Sequence, residues 1–214
     1  MVSVDDAVLA ALRQCLTDDD PGVREAAAES LERLDTLGRL EDLLPTLDSP
    51  DPAAVIRSLH VLADLGHEQA LAGLIRAFRN PRPDLRATAV RLLGERRDAR
   101  AVGPLMEMLD DPSVDVRILA VEALGHFGDR RLTDVLLAQL GDPNPELRGK
   151  VIETLERLTD PKARDALLPL LQDPDAGIRR RAARALGRLE AGAEPGEFTQ
   201  GRVNSPGSSI DGQF

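Results

Sequence analysis

The chain has 214 residues with no Trp or Tyr and four Phe, and Ala and Leu dominate its 42% hydrophobic fraction. Small and aliphatic side chains pack helix against helix better than they fill a pleated sheet, so an all-α fold is expected. A formal charge of −10 argues against nucleic acid as a partner, because phosphate backbones repel an acidic surface.

A pattern with a 31-residue period then runs along the chain without insertion. The first unit carries Leu12, the turn Asp20-Pro21, Arg24 and Leu31, and the second carries Leu43, Ser49-Pro50, Val55 and Leu62. Leu74, Asn80-Pro81, Arg86 and Leu93 mark the third, and Leu105, Asp111-Pro112, Arg117 and Leu124 the fourth. The fifth has Leu136, Asp142-Pro143, Arg148 and Leu155, and the sixth Leu167, Asp173-Pro174, Arg179 and Leu186. Two all-Leu columns and an Arg column broken only by Val55 do not arise by chance. The first turn alone is out of register, by two residues.

Each unit reads as two helices, as in the fourth, where apolar residues at helical spacing predict Ala101–Leu109 and Val114–Phe127. The Ser-Pro, Asn-Pro and Asp-Pro turns start the second helix, since proline fixes φ and the residue before it has a side chain that caps orphan N–H groups. Gly94, Gly125 and Gly187 are expected to end second helices. Asp98, Asp129 and Asp160, with His67 in the same register, are expected to cap the first helix of the next unit. Short connections make neighbouring helices antiparallel. One unit has too few apolar side chains to offset the cost of ordering its own backbone, so residues 1–189 form one domain stabilised by stacking.

The string from Asp111-Pro112 through Val116-Arg117 to Ala123-Leu124-Gly125 and Gly128-Asp129 resembles the short HEAT-like repeat of the phycobilin-lyase type, over residues 5–189. The resemblance implies a right-handed α-solenoid of six helical hairpins whose second helices line a concave face. It implies a protein-binding adaptor, and alternatively a subunit or assembly factor of a larger redox or metabolic enzyme complex, or a phycobilin-lyase-like chromophore-handling protein. HEAT-like arrays also include DNA glycosylases, against which stand the acidic charge and the lack of Trp or Tyr to stack on an extruded base. Departures from the repeat are Val55 for Arg, Glu32, Ala63 and Glu156 for Gly, and Arg96 for an aliphatic residue.

On the second helices, three outward rows change residue type from unit to unit: Ala26, Arg57, Thr88, Leu119, Lys150, Arg181; Glu29, His60, Arg91, Glu122, Glu153, Arg184; and Arg33, Asp64, Glu95, His126, Arg157, Arg188. Variation on one face of a regular array suits a groove for another protein. Opposite charges four residues apart, such as Arg91 with Glu95, are equally at home as exposed ion pairs. Ile118 and Leu119 would be wet on such a face and are the expected contact patch. Residues 1–35 hold nine acidic and three basic side chains, against four acidic and seven basic in 160–189. The array is an electrical dipole whose one basic cluster is Arg179, Arg180, Arg181, Arg184 and Arg188. Residues 190–214, rich in Gly, Ser, Pro and Glu, cannot build a core and are expected to be disordered alone or held by a partner, with Phe198 and Phe214 as anchors.

Little points to catalysis. His60, His67 and His126 have no evident partner, and His60 and His126 lie two repeats apart, too far to share a metal. No zinc, phosphate-loop or nucleophile-elbow motif is present. The lone Cys15 permits no internal disulfide. The expectation is a non-enzymatic chain without metal or cofactor. With no apolar run of the roughly 18 residues a membrane span needs, and with Asp5 and Asp6 where a leader peptide is basic, it is expected to be cytoplasmic and not inserted in membrane.

Overall fold

A computed structural model describes residues 6–191; Phe198 and Phe214 lie outside them. Among the described residues all regular structure is helical: α1 (Asp6–Cys15), α2 (Pro21–Leu43), α3 (Pro52–Leu65), α4 (Glu68–Arg76), α5 (Pro83–Arg96), α6 (Val102–Glu107), α7 (Val114–His126), α8 (Thr133–Ala138), α9 (Pro145–Leu158), α10 (Ala163–Leu167) and α11 (Ala176–Ala191). The first helices of the units are short and tighten into 3-10 turns at their ends, as at Met108–Asp110 and Gln139–Gly141. The second helices stack in sequence, α3 on α5, α5 on α7, α7 on α9 and α9 on α11. The chain is an α-solenoid.

The two leucine columns form the seam between the helix layers. Leu62, Leu93, Leu124 and Leu155, with Leu74, Leu105, Leu136 and Leu167, are all at 0% exposure. Each stabilises the array by about 1.5–3 kcal/mol. Leu12, Leu31 and Leu186, in the end units, are only half-buried. The core is thus continuous along the array, and among the described residues nothing closes either end.

The starts of the first helices follow the expected register in every unit after the first. The second helices start two residues beyond the expected caps: their N-caps are Asp51, Arg82, Ser113 and Asn144, in the register of Asp20. The side chains of His67, Asp98, Asp129 and Asp160 accept the N–H of Gln69, Arg100, Arg131 and Lys162. Just before them, Gly66, Arg97, Gly128 and Thr159 turn the chain with φ of 65°, 52°, 64° and 48°. In the first unit this turn is missing, and α2 runs unbroken through Asp35 and Thr36. Thr36 stands where the capping residues stand elsewhere, but its hydroxyl donates to the Glu32 carbonyl at 2.9 Å, within the helix. Without a cap to begin a new helix, units one and two share one.

Gly94 and Gly125 do not end their helices. They lie inside α5 and α7, and the reversals come three residues later, at Arg97 and Gly128. A Cβ on Gly94 would stand 2.5 Å from Ala123 Cβ, and one on Gly125 2.6 Å from Thr154 Cγ2. These glycines let successive second helices touch. Gly187, in the same register, has nothing within 4 Å because no described unit follows it. Glu156 replaces glycine where α9 meets α11 and pairs there with Arg188.

The Arg column is a ladder between units. Arg86 donates Nε and Nη2 to Asp111 at 2.7 and 2.8 Å, and its Nη1 donates to the carbonyls of Asn80 and Pro81 in its own turn. Arg117 repeats this with Asp142, and Arg148 with Asp173. The Asp of each Asp-Pro turn is therefore a receptor for the preceding unit as well as a turn residue: Oδ1 of Asp111, Asp142 and Asp173 also accepts the N–H two residues on. Burial acts to raise the Asp111 carboxyl, yet the bonds from Arg86 and the Ser113 N–H outweigh it and hold it below the usual range. Asp173 is lowered chiefly by Arg148. Where the Arg is lost, at Val55, the carboxylate 25 residues on is lost too, as Asn80.

Candidate partner-binding face

The stacked second helices place the predicted residues on one layer. Arg57, His60 and Asp64 come from α3, Thr88, Arg91 and Glu95 from α5, and Ile118, Leu119, Glu122 and His126 from α7. Lys150, Glu153 and Arg157 come from α9, and Arg181, Arg184 and Arg188 from α11. Ten are exposed: Arg57, His60, Asp64, Arg91, Glu95, Glu153, Arg157, Arg181, Arg184 and Arg188. Thr88, Ile118, Leu119, Glu122, His126 and Lys150 are half-buried.

Local bonds order part of this surface. Lys150 sits 3.8 Å from Glu122 of the preceding helix and 3.5 Å from Glu153 of its own. Arg91 pairs with Glu95 at 3.2 Å, and the Arg181 guanidinium lies over Gly149. The Thr88 hydroxyl is turned back to the Asp84 carbonyl. Exposed ion pairs of this kind contribute about 0–1 kcal/mol, so their charges stay available to a partner.

The expected apolar patch is corrected by packing. Ile118 and Leu119 are half-buried against the core, because α5 and α9 flank α7 closely enough to cover a bulky residue between them. Among the described residues the large apolar side chains that are exposed are Val8, Leu16, Val23, Leu168 and Leu171, all in the end units. Sequence reasoning passed over Leu16, Val23 and Leu171 because their registers are filled by buried residues such as Leu109 and Val116 in the interior units. A groove also opens on the turn edge, between Pro50, Pro52, Arg79, Pro81 and Arg82. It lies where Val55 and Asn80 interrupt the ladder, which was the only signal of it in the sequence.

His60 is exposed, His126 half-buried, and His67 a helix cap. Among the described residues no group of three or more His, Cys, Asp or Glu is placed to hold a metal ion. None of the described helices is long and apolar enough to cross a membrane.

Several solved structures share this architecture. The Escherichia coli protein YibA superposes with a TM-score of 0.59 at 18% identity, over 85% of this chain and 69% of that one. The complex of CpcE and CpcF of phycocyanin lyase from Nostoc sp. gives 0.56 at 21% identity, over 70% and 98%. Human deoxyhypusine hydroxylase gives 0.53 at 22% identity, over 75% and 77%. At these identities the likeness is one of fold. No curated protein sequence matches the chain. The HEAT repeat family model matches residues 3–63, 40–116, 71–142 and 102–187, and on those repeats the chain belongs to the HEAT repeat family.

Proposed function

We propose that the chain is a non-catalytic scaffold or adaptor that holds another protein on the layer of second helices. The observation behind this reading is the contrast between inside and outside. The buried Leu columns and the Arg ladder repeat their residue types, whereas the exposed positions from Arg57 to Arg188 do not. A surface kept only for solubility needs no particular order of charge. Along the named rows this one is electrically balanced on α3 and α5, mixed on α7 and α9 and basic on α11, and so offers one orientation to a partner with an acidic patch at one end.

Membership in a larger enzyme complex is a special case of the same reading, in keeping with the two-chain complex of CpcE and CpcF. A chromophore-handling role separates from it by a simple measurement. Addition of a bilin to the purified protein shifts the bilin absorbance if the chromophore is bound, and leaves it unchanged if the chain is an adaptor.

The direct test is to recover a partner from native cells with the tagged chain and repeat the recovery with Arg91→Glu and Arg157→Glu together. Both side chains are exposed, so the melting temperature stays within about 2 °C of wild type while the partner is lost. A partner still recovered in full with the reversed charges rules out this face.

A further inference from the structure

The ends of the array carry what the interior hides. Leu16 and Leu171 share a register with Leu47, Phe78, Leu109 and Leu140, which are 4%, 6%, 1% and 9% exposed, whereas Leu16 and Leu171 are 40% and 37% exposed. Val23 is 38% exposed in a register where Leu85, Val116, Leu147 and Ile178 are at most 2% exposed. In the interior the neighbouring unit covers these positions. At the ends nothing among the described residues does.

The ladder is open at the same two places, as it also is inside the array at Arg24, where Ser49 fills the carboxylate register, and at Val55 with Asn80. Arg179 donates Nη1 to the carbonyls of Asp173 and Pro174 at 2.7 and 3.0 Å, as Arg148 does to Asp142 and Pro143. Its Nε and Nη2, which in Arg86, Arg117 and Arg148 grip a carboxylate of the next unit, meet none among the described residues. Asp18 is the missing half. It stands in the register of Asp111, Asp142 and Asp173. Its Oδ1 accepts the Asp20 N–H at 2.9 Å and its carbonyl accepts from Arg24 Nη1 at 2.6 Å, the arrangement of the interior turns. Among the described residues no arginine pairs with its carboxylate.

We propose that the array stacks head to tail on a second copy of itself, the first unit of one copy continuing the series after the last unit of the other. Arg179 of one copy then pairs with Asp18 of the next, and Leu168 and Leu171 close against the apolar residues of α1 and the start of α2. Charge favours a second copy as the occupant, because the acidic first unit meets the basic last one. The contact is heterologous, so copies add in a row and do not stop at a closed pair. It uses the ends of the array and is independent of the second-helix face.

Sedimentation velocity on the full chain at low salt tests this. The weight-average mass is expected to climb above 23.1 kDa with concentration, and added salt to reverse the climb. Arg179→Asp and Asp18→Arg each weaken association by roughly tenfold or more. Mixing the two variants restores pairing through the intact ends, and the double variant, with the charges exchanged, regains self-association. Asp18→Asn, which keeps the turn as Asn80 does, weakens association as well, and circular dichroism verifies that each variant is folded. A chain that stays monomeric at every concentration, whether its end is bare or covered by residues 192–214, overturns the proposal. So do single variants that associate like wild type.

Discussion

Arg148 holds Asp173 of the following unit by two parallel hydrogen bonds, Nε to Oδ2 at 2.9 Å and Nη2 to Oδ1 at 2.8 Å, with the two side chains only 10% and 5% exposed. Charge-assisted pairs of this geometry are stronger than neutral bonds, but half of one left alone in a buried site is costly. The chain contains its own control, since Val55 and Asn80 fill the same two registers with Val55 fully buried and no ion pair. Arg148→Val alone is expected to cost about 3 kcal/mol and Asp173→Asn about 2 kcal/mol, whereas the double variant recovers about 2 kcal/mol of their sum. Urea unfolding of the four proteins measures the coupling. Additive losses mean that the two registers are independent.

The same rung makes stability depend on pH. The folded Asp173 and Asp111 carboxyls lie below their ordinary 3.8, and Asp98, bonded chiefly by Arg100, is lowered to about 2. A depressed folded pKa stabilises above the unfolded value, and that stabilisation is lost as pH falls through the folded one. The contribution is therefore full from neutrality to about pH 5 and fades between about pH 4 and 2. Protonated Asp173 resembles asparagine, so the gap in melting temperature between wild type and Asp173→Asn should close across that window. A gap that persists at pH 2 shows that the charge of Asp173 is not what Arg148 requires.

Glycines in one register should respond oppositely to the same substitution. Gly94→Ala drives a methyl into Ala123, whose Cα lies 2.8 Å from the new Cβ and cannot rotate away. A loss of about 1–3 kcal/mol is expected. Gly187→Ala meets open space in α11 and should gain about 0.5–1 kcal/mol from the reduced freedom of the unfolded chain. Thermal melts of the two variants give the comparison, and equal effects would mean that helix propensity alone is at work.

Leu119 is a packing residue before it is a contact residue. Leu119→Ala is expected to lower stability by about 1–2 kcal/mol, roughly half the cost of emptying a fully buried site. Denaturant unfolding reads this directly, and a change within about 0.5 kcal/mol would return Leu119 to the exposed surface.

The 31-residue period, the two leucine columns, the capping roles of His67, Asp98, Asp129 and Asp160, and the placement of the named rows on the second helices were legible in the residues. Each depends on local spacing: helical periodicity selects which side chains turn inward, and a capping side chain bonds N–H groups two or three residues away. What the sequence left open depends on the distance between helices. Gly94 and Gly125 have the composition of helix ends and the location of helix contacts. Asp111, Asp142 and Asp173 look like turn residues until the arginine 25 residues before them is brought alongside. Ile118 and Leu119 are half-buried while Leu16 and Leu171 are exposed, because burial is decided by whether another unit stands next to them, and the pattern within a unit is silent on its neighbours.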